Sequence, residues 1–221
     1  MLLAAMWLGY FLLHSWLASL RVKRWVACRL PRLAPAYRLF YNLVALAALV
    51  PPVYFAFALG GEPVLRWQGP WRWLADLAAL AAAVGFLASL RWYDGLTFLG
   101  LRQLAEGRMD DGGRLRISPL HRWVRHPWYF FGLILLWTRD LTPAFLVSAV
   151  MATLYLIVGS RLEERKLRQE HGEAYARYCE RVPPLLPLPW KRLDADEAAR
   201  LEARAGCDRP RPGGPSKRAQ R

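Results

Sequence analysis

Four long apolar segments limit what this 221-residue chain can fold into. Each has about the 20 residues that a helix needs to cross the hydrocarbon core of a bilayer, and none carries a charge in its central part. No basic stretch precedes the first segment and no small-residue cleavage site follows it, which argues against a signal peptide. The sequence predicts an all-α integral membrane protein with crossings at Leu2–Leu20, Leu39–Leu59, Trp73–Leu90 and Leu141–Gly159.

A fifth apolar run, Trp128–Trp137, has ten residues, about half a crossing at 1.5 Å per residue. We expect it to form the first arm of a helical hairpin, with Leu141–Gly159 as the second arm, which makes about five transmembrane helices in total. The second arm should continue as a charged helix to about Glu170, with Gly172 as its C-cap. A short helix should follow and end at Pro183-Pro184.

The basic residues are concentrated between the apolar segments. The chain has 31 Lys and Arg against 17 Asp and Glu, and segment 21–38 holds six basic residues and no acid. The positive-inside rule therefore predicts that 21–38, 91–127 and 161–221 lie in the cytoplasm and that the N-terminus lies outside. This asymmetry accounts for the charge, so we expect the lipid bilayer as the partner and no nucleic acid.

The composition changes after Trp190 to Arg, Asp, Glu, Ala, Pro and Gly. We predict one membrane domain over residues 1–190 and a basic, largely disordered cytoplasmic tail over 191–221, with 206–221 the least ordered part. The cysteines form no CxxC pair and the four histidines are scattered, so no metal site is expected. These cysteines are Cys28, Cys179 and Cys207.

The hairpin carries a polar motif at each end. The motif Arg125-His126-Pro127-Trp128-Tyr129 precedes the first arm, and Glu163-Glu164 follows the second. Because an antiparallel hairpin returns to the side where it began, both motifs should lie at the same cytoplasmic level. The His-Pro turn should leave the His126 carbonyl exposed, since proline disfavours helical backbone at the residue before it.

Two interpretations of the carboxylate pair stay open from the residues alone. In one, Glu163 and Glu164 bind a polar cofactor beside aromatic rings that can stack on a heterocycle. In the other, they belong to a solvated, salt-bridged helix face, as a run of alternating charges indicates. Adjacent helical residues point about 100° apart, so one carboxylate can face the hairpin while the other pairs elsewhere.

The motifs together resemble the isoprenylcysteine carboxyl methyltransferase-like superfamily, which includes phospholipid methyltransferases. The resemblance covers roughly residues 1–189, and its upstream part is similar to a bacterial branch with methanethiol S-methyltransferases and membrane proteins linked to nitrite and nitric oxide reduction. The motifs that carry it are Arg125-His126-Pro127-x-Tyr129, Glu163-Glu164-x-x-Leu167, His171-Gly172-x-x-Tyr175-x-x-Tyr178 and Val182-Pro183-Pro184-Leu185-Leu186-Pro187, with His14-Ser15, Val22-Lys23, Arg38, Tyr41-Asn42, Asp94 and Phe98-Leu99-Gly100-Leu101-Arg102-Gln103 upstream.

The resemblance implies a methyltransferase of a bacterial plasma membrane with an S-adenosylmethionine pocket in the last hairpin. By this similarity His126, Pro127 and Tyr129 border the adenine, and Glu163 and Glu164 hold the ribose or the amino group. The chain departs from the family pattern in two places. Phe131 stands where a glycine is usual and Gly132 follows it, and Ser118-Pro119-Leu120-His121 replaces a segment that usually contains glycine.

The methyl acceptor is expected to be a small thiol or a lipophilic molecule. A thiol reacts as its thiolate, so a positive charge from Arg125 and a base such as Asp94 are the candidate catalytic groups. His121 and His126 are further candidates. The alternatives are that His121 is an interfacial surface residue and that Asp94 caps the segment beginning at Gly95.

Two other functions fit the hairpin: a non-catalytic membrane accessory protein of the denitrification-linked type, and an NADPH-dependent enzyme similar to sterol reductases. A separate feature is His14, a polar residue at membrane depth in the first apolar segment. Such residues are functional candidates by default. We expect a structural role for it, a hydrogen bond between helices with Asn42 as the partner.

Overall fold

The computed structural model describes residues 1–109 and 113–207. Apart from two isolated β-bridges, these residues form helices joined by turns and loops, and short 3-10 turns occur at Ala34–Ala36 and Leu90–Trp92. The predicted all-α class is confirmed. The α-helices are α1 (Leu2–Ala18), α2 (Leu20–Arg29), α3 (Tyr37–Ala58), α4 (Pro70–Ser89), α5 (Gly95–Leu99), α6 (Leu101–Glu106), α7 (Pro127–Trp137), α8 (Pro143–Arg181) and α9 (Ala195–Cys207).

Three helical stretches in the described residues are long and apolar enough to cross a membrane: Ala34–Ala58, Pro70–Trp92 and the apolar part of α8. A fourth crossing is present if α1 and α2, which are bent by 52° at Ser19, count as one span. The predicted fifth crossing is α7, whose 11 residues reach about 16 Å against a hydrocarbon core of roughly 30 Å. The chain is therefore an integral membrane protein, and the part that the structure describes holds three or four full-length spans and one short apolar helix.

The described residues form two compact units. The first consists of residues 1–109 and 131–157, and the second of residues 113–130 and 158–207. In the first unit the indole N–H of Trp7 on α1 donates to the Ser148 hydroxyl on α8 at 2.9 Å. Phe11 on α1 stacks on Tyr155 of α8, with ring centroids 4.1 Å apart. Buried aromatic contacts of this kind join the N-terminal helix to the last apolar helix.

The hydrogen-bond partners of His14 differ from the predicted partner. Its Nε2 lies 2.6 Å from the Tyr41 hydroxyl and its Nδ1 lies 2.5 Å from the Tyr155 hydroxyl. The prediction that Asn42 bonds to His14 is wrong, because the Asn42 amide donates to the carbonyls of Phe98 and Leu99 at 3.0 Å each. Tyr41 and Asn42 are adjacent, and one step along a helix turns the side chain by about 100° to a different face of α3.

The upstream motif residues meet where α5 docks on α3. Arg38 Nε donates to the Phe98 carbonyl at 3.0 Å, beside the amide of Asn42. Gly100 ends α5 with a φ of +90°, and a Cβ at this position would lie 2.6 Å from the Leu39 nitrogen. A left-handed backbone and this close approach both require glycine here.

The second unit has its own core, in which α9 packs against the C-terminal part of α8. The predicted break of α8 at Gly172 is confirmed, with φ at +57° and ψ at −135°. The domain boundary at residue 190 stays a prediction, although the segment after it begins with the ordered helix α9; residues 208–221 lie outside the described part of the chain. The core consists of Ile117, Tyr175, Tyr178, Val182, Leu193, Ala198 and Leu201.

Candidate functional site

The turn before α7 shows why the His-Pro pair stands where it does. Pro127 is the first residue of α7, a position where the missing N–H of proline costs no helical hydrogen bond. The His126 carbonyl accepts the first bond of the helix, from the Phe130 N–H at 3.1 Å. The sequence predicted an exposed His126 carbonyl, whereas the structure uses this oxygen to begin α7.

Two backbone hydrogen bonds hold the turn in place. The Arg125 N–H donates to the Pro183 carbonyl at 2.9 Å, and the His126 N–H donates to the Pro184 carbonyl at 3.0 Å. The segment after α8 thus pairs with the segment before α7, and proline is suited to this role because only its carbonyl is needed. From the sequence, Pro183-Pro184 was expected only to end a helix, so this backbone pairing was not predicted.

Arg125 and Glu164 form a buried, bidentate ion pair. Arg125 Nε lies 2.8 Å from Glu164 Oε1 and Nη2 lies 3.0 Å from Oε2, and the two side chains are 7% and 11% exposed. Nη1 also donates to the carbonyl of Cys179 at 2.8 Å and to that of Val182. These carbonyls lie at the end of α8, where no intrahelical donor remains for them. One guanidinium therefore ties α8, its C-terminus and the α7 turn together.

Glu164 lies beyond the apolar part of α8 and is held in its ionised form. Burial opposes the ionisation, but hydrogen bonds from His126 and Arg125 outweigh it and lower the pKa of the Glu164 carboxyl. His126 Nε2 lies 3.2 Å from Glu164 Oε1. Glu164 is thus a fixed negative charge whose oxygens both accept bonds from within the same unit.

Glu163 has a different environment from its neighbour. Its side chain is 49% exposed and its Oε2 accepts a hydrogen bond from the Tyr129 hydroxyl at 3.3 Å. The same oxygen lies 3.6 Å from His126 Nδ1, and Oε1 has no hydrogen-bond partner among the described residues. The two adjacent carboxylates are therefore divided between a buried ion pair and a half-exposed position.

The rings of His126 and Tyr129 stack in parallel beside Glu163. Their centroids are 5.0 Å apart with an interplanar angle of 8°. His126 lies between the two carboxylates, with one ring nitrogen toward each. A half-exposed carboxylate beside a phenol and a flat pair of rings can accept hydrogen bonds from hydroxyl or ammonium groups of a polar ligand.

His121 is partly buried in the same unit and differs from a surface histidine. Its Nδ1 lies 2.7 Å from the Ser118 hydroxyl, and its carbonyl accepts a bond from the Tyr178 hydroxyl at 2.7 Å. Burial, and to a lesser degree the charge of His126, lower the pKa of His121 to about 4. Its imidazole is accordingly neutral at physiological pH.

Asp94 belongs to the first unit and caps α5. Its Oδ1 accepts bonds from the N–H groups of Leu96 and Thr97 at 3.1 and 3.2 Å. Its Oδ2 lies 3.0 Å from Arg102 Nη2. Of the two interpretations left open by the sequence, these contacts match the cap, and a catalytic role for Asp94 stays a prediction.

The remaining predicted site residues all fall in the second unit, where Arg125 and His126 contact Glu164, and Tyr129 contacts Glu163 and His126. They are Arg125, His126, Pro127, Tyr129, Glu163 and Glu164.

Several known proteins are similar to this chain. Methanethiol S-methyltransferase 2 of Bradyrhizobium diazoefficiens is 32% identical over 189 residues, which covers 83% of this chain and 71% of the relative. A methanethiol S-methyltransferase of Crocosphaera subtropica is 30% identical over 203 residues, covering 84% and 74%. One of Mycobacterium tuberculosis is 31% identical over 202 residues, covering 82% and 76%. No protein-family model and no solved structure matches.

Proposed function

Because the chain belongs to the methanethiol S-methyltransferase family, we propose that it is a membrane methyltransferase that uses S-adenosylmethionine and methylates a small thiol, with methanethiol as the first candidate. The half-exposed Glu163 carboxylate beside the stacked rings of His126 and Tyr129 is the observation that carries the cofactor assignment. The sequence resemblance and the names of the relatives support the same reaction class.

The groups around Glu163 fit such a cofactor. The uncommitted Oε1 of Glu163 can accept hydrogen bonds from ribose hydroxyls or from an ammonium group, and the Tyr129 hydroxyl keeps Oε2 oriented. Tyr129, which stacks on the buried ring of His126, offers a flat surface for a purine. When bound, the cofactor supplies a methyl group that its sulfonium already activates.

We assign different roles to the two carboxylates and to Arg125. Glu163 contacts the cofactor, whereas Glu164 and Arg125 are positioning residues, since their charged atoms are taken up by each other and by the end of α8. This revises the expectation that Glu164 and Arg125 act directly. Loss of either would disturb the site through the turn that carries His126.

The acceptor step requires a proton to leave the thiol before the new sulfur–carbon bond forms. Asp94 is the base that the sequence proposes, but its oxygens are committed to the α5 cap and to Arg102. His121 lies in the second unit, but its pKa of about 4 makes it a weak base toward a thiol, so these observations favour neither residue as the base.

Cofactor binding and methyl transfer test this proposal together. The purified full chain should bind radiolabelled S-adenosylmethionine saturably and transfer label to methanethiol as a volatile product. Glu163→Gln should weaken binding by about tenfold or more, an effect of the size expected for a charge-assisted hydrogen bond. The matched control is Glu173→Gln, which alters an exposed i,i+4 ion pair with Arg177 on the same helix and should leave binding unchanged.

The outcomes separate the alternatives. Saturable binding without transfer to methanethiol would retain the cofactor site and direct the search to lipophilic acceptors. Absence of binding by the folded wild-type chain would contradict the proposal and favour a non-catalytic accessory role. Equal affinity in Glu163→Gln and wild type would remove Glu163 from the site.

A further inference from the structure

A small polar cavity lies in the first unit, outside the site around Glu163. Its volume is about 300 Å³, at the lower end of the range for small-molecule sites. Three lining residues come from the first turns of α4 and three from the connection between α7 and α8. They are Arg72, Asp76, Ala79, Thr138, Arg139 and Asp140.

Hydrogen bonds fix the walls of this cavity. The Trp67 N–H donates to Asp140 Oδ1 at 3.0 Å, and the Leu141 N–H donates to the Leu65 carbonyl at 2.9 Å. Arg72 bridges the two acids, with Nε 3.0 Å from Asp76 Oδ2 and Nη1 3.0 Å from Asp140 Oδ2. Arg72, Asp76 and Asp140 are therefore held in place before any ligand arrives.

The cavity retains one group that can bind a cation and one that can bind an anion. Asp76 uses only Oδ2 toward Arg72, so Oδ1 can accept further hydrogen bonds. The Arg139 guanidinium lies 5.1 Å from the ring centre of Phe145 and 5.9 Å from that of Phe57, and it forms no ion pair with any residue that the structure describes. A ligand with one anionic and one ammonium group would satisfy both.

The aromatic residues nearby place the cavity at the depth of lipid head groups. Trp71 and Trp73, which flank Arg72, are 65% and 77% exposed. Trp137, the last residue of α7, directly precedes the lining segment. Tryptophan collects at the boundary between hydrocarbon and water, where head groups carry their phosphates and amines.

We propose that this cavity binds a phosphoethanolamine group, with the phosphate on Arg139 and the primary ammonium on Asp76. The planar guanidinium fork matches phosphate oxygens, and an ammonium supplies three N–H donors to a carboxylate. At this depth the group belongs to a phospholipid, although the free compound has the same chemistry. The site is independent of the proposed methyl transfer, and its failure would leave that proposal unchanged.

The test compares four ligands on the purified full chain in detergent: phosphatidylethanolamine, phosphatidylcholine, phosphatidylglycerol and free phosphoethanolamine. Affinity is read from the shift of the thermal midpoint with ligand concentration, and retained lipid from native mass spectrometry. Phosphatidylethanolamine should bind at least about tenfold more tightly than the choline and glycerol lipids, which lack N–H donors or the ammonium altogether.

Variants then assign the contacts. Arg139→Gln and Asp76→Asn should each weaken phosphatidylethanolamine binding about tenfold, whereas Arg139→Lys should keep most of it. Arg66→Gln is the control, because Arg66 is exposed on the connection between α3 and α4 and does not line the cavity. If Asp76→Asn does not fold, Arg139→Gln decides alone, since Arg139 forms no ion pair with any described residue that its loss would break.

Each outcome has a defined meaning. Binding of free phosphoethanolamine as tight as that of the lipid supports the site and shows that the polar group suffices. Binding of the lipid alone also supports it and adds a contribution from the acyl chains. Equal stabilisation by the three lipids, unaltered binding in Arg139→Gln, or no binding of any ligand would overturn the proposal.

Discussion

At the scale of single residues, two neighbouring glutamates lie in opposite environments. Glu164 is buried in a bidentate pair with Arg125, while Glu163 is half-exposed beside Tyr129. The buried pair holds the Arg125 guanidinium in place, and the same Glu164 carboxylate contacts Nε2 of His126. A buried charge needs such a partner, since leaving it unpaired costs several kcal/mol.

Replacement of Arg125 by lysine should destabilise the protein without removing the charge. Lysine cannot bind both oxygens of Glu164 and the carbonyls of Cys179 and Val182, so we expect a loss of about 2–4 kcal/mol in the free energy of unfolding. Arg177→Lys changes an exposed pair and should stay within about 0.5 kcal/mol. Thermal unfolding in detergent measures both, and equal midpoints for the two variants would contradict the structural role of Arg125.

His121 should make stability depend on pH. The pKa of its imidazole is about 4 when folded, against about 6.5 in an unfolded chain, so the unfolded state binds the extra proton between these values. The free energy of unfolding should therefore fall as the pH drops from 6.5 to 4, by up to about 1.4 kcal/mol per pH unit. Unfolding of wild type and His121→Asn at pH 7 and pH 5 measures this, and the variant should show the shallower dependence. Parallel pH profiles would exclude the contribution of His121.

At the scale of secondary-structure elements, the ends of helices and the close approaches between backbones determine the positions of side chains. Pro127 begins α7 and Gly172 divides α8, and both positions were anticipated from the backbone preferences of proline and glycine. The docking of α5 on α3 is less evident from the sequence. It depends on Gly100, where the backbone of α3 passes too close for any side chain.

A series of glycine substitutions separates strain from steric overlap at this junction. Gly95→Ala has open space and ordinary backbone angles, so it should be close to neutral. Gly107→Ala has a φ of +67° and open space, so it should cost about 1 kcal/mol from backbone strain alone. Gly100→Ala adds a contact of 2.6 Å with the Leu39 nitrogen and should cost clearly more than either. The free energies of unfolding in detergent should follow this order, and a Gly100→Ala value no larger than that of Gly107→Ala would show that α3 can move aside.

At the scale of the whole molecule, the chain combines apolar spans with a strong asymmetry of basic residues. The spans establish an integral membrane protein, and the basic loops lead us to propose that 21–38 and the site around Glu163 face the cytoplasm. This arrangement would let a water-soluble cofactor enter from the cytoplasm. The same rule places the connection around Glu62 outside.

Cysteine labelling tests this orientation. A chain in which Cys28, an exposed residue of α2, is the single cysteine should react with a membrane-impermeant maleimide only after the membrane is opened. A cysteine-free chain with Glu62→Cys should react in intact spheroplasts, because the Glu62 side chain is 89% exposed on the opposite connection. The reverse pattern would invert the proposed topology and place the cofactor site outside.

The sequence by itself determined the class of the protein and the region of its candidate site. The apolar segments have the length of a bilayer crossing, and this length alone predicted a helical membrane protein. The return of the hairpin likewise predicted that the His126 turn and the two glutamates lie together, and they do, in one unit. Both inferences depend on length and direction, which a sequence carries directly.

Only the tertiary structure decided which of several adjacent residues faces which partner. Glu164 and not Glu163 meets Arg125, and Tyr41 and not Asn42 meets His14. In each case one residue along a helix changes the direction of the side chain by about 100°. The rotation of a helix about its axis depends on packing against distant segments, such as the carbonyls that Arg125 binds at the end of α8. An apolar helix surrounded by lipid has little periodicity in its sequence to reveal that rotation.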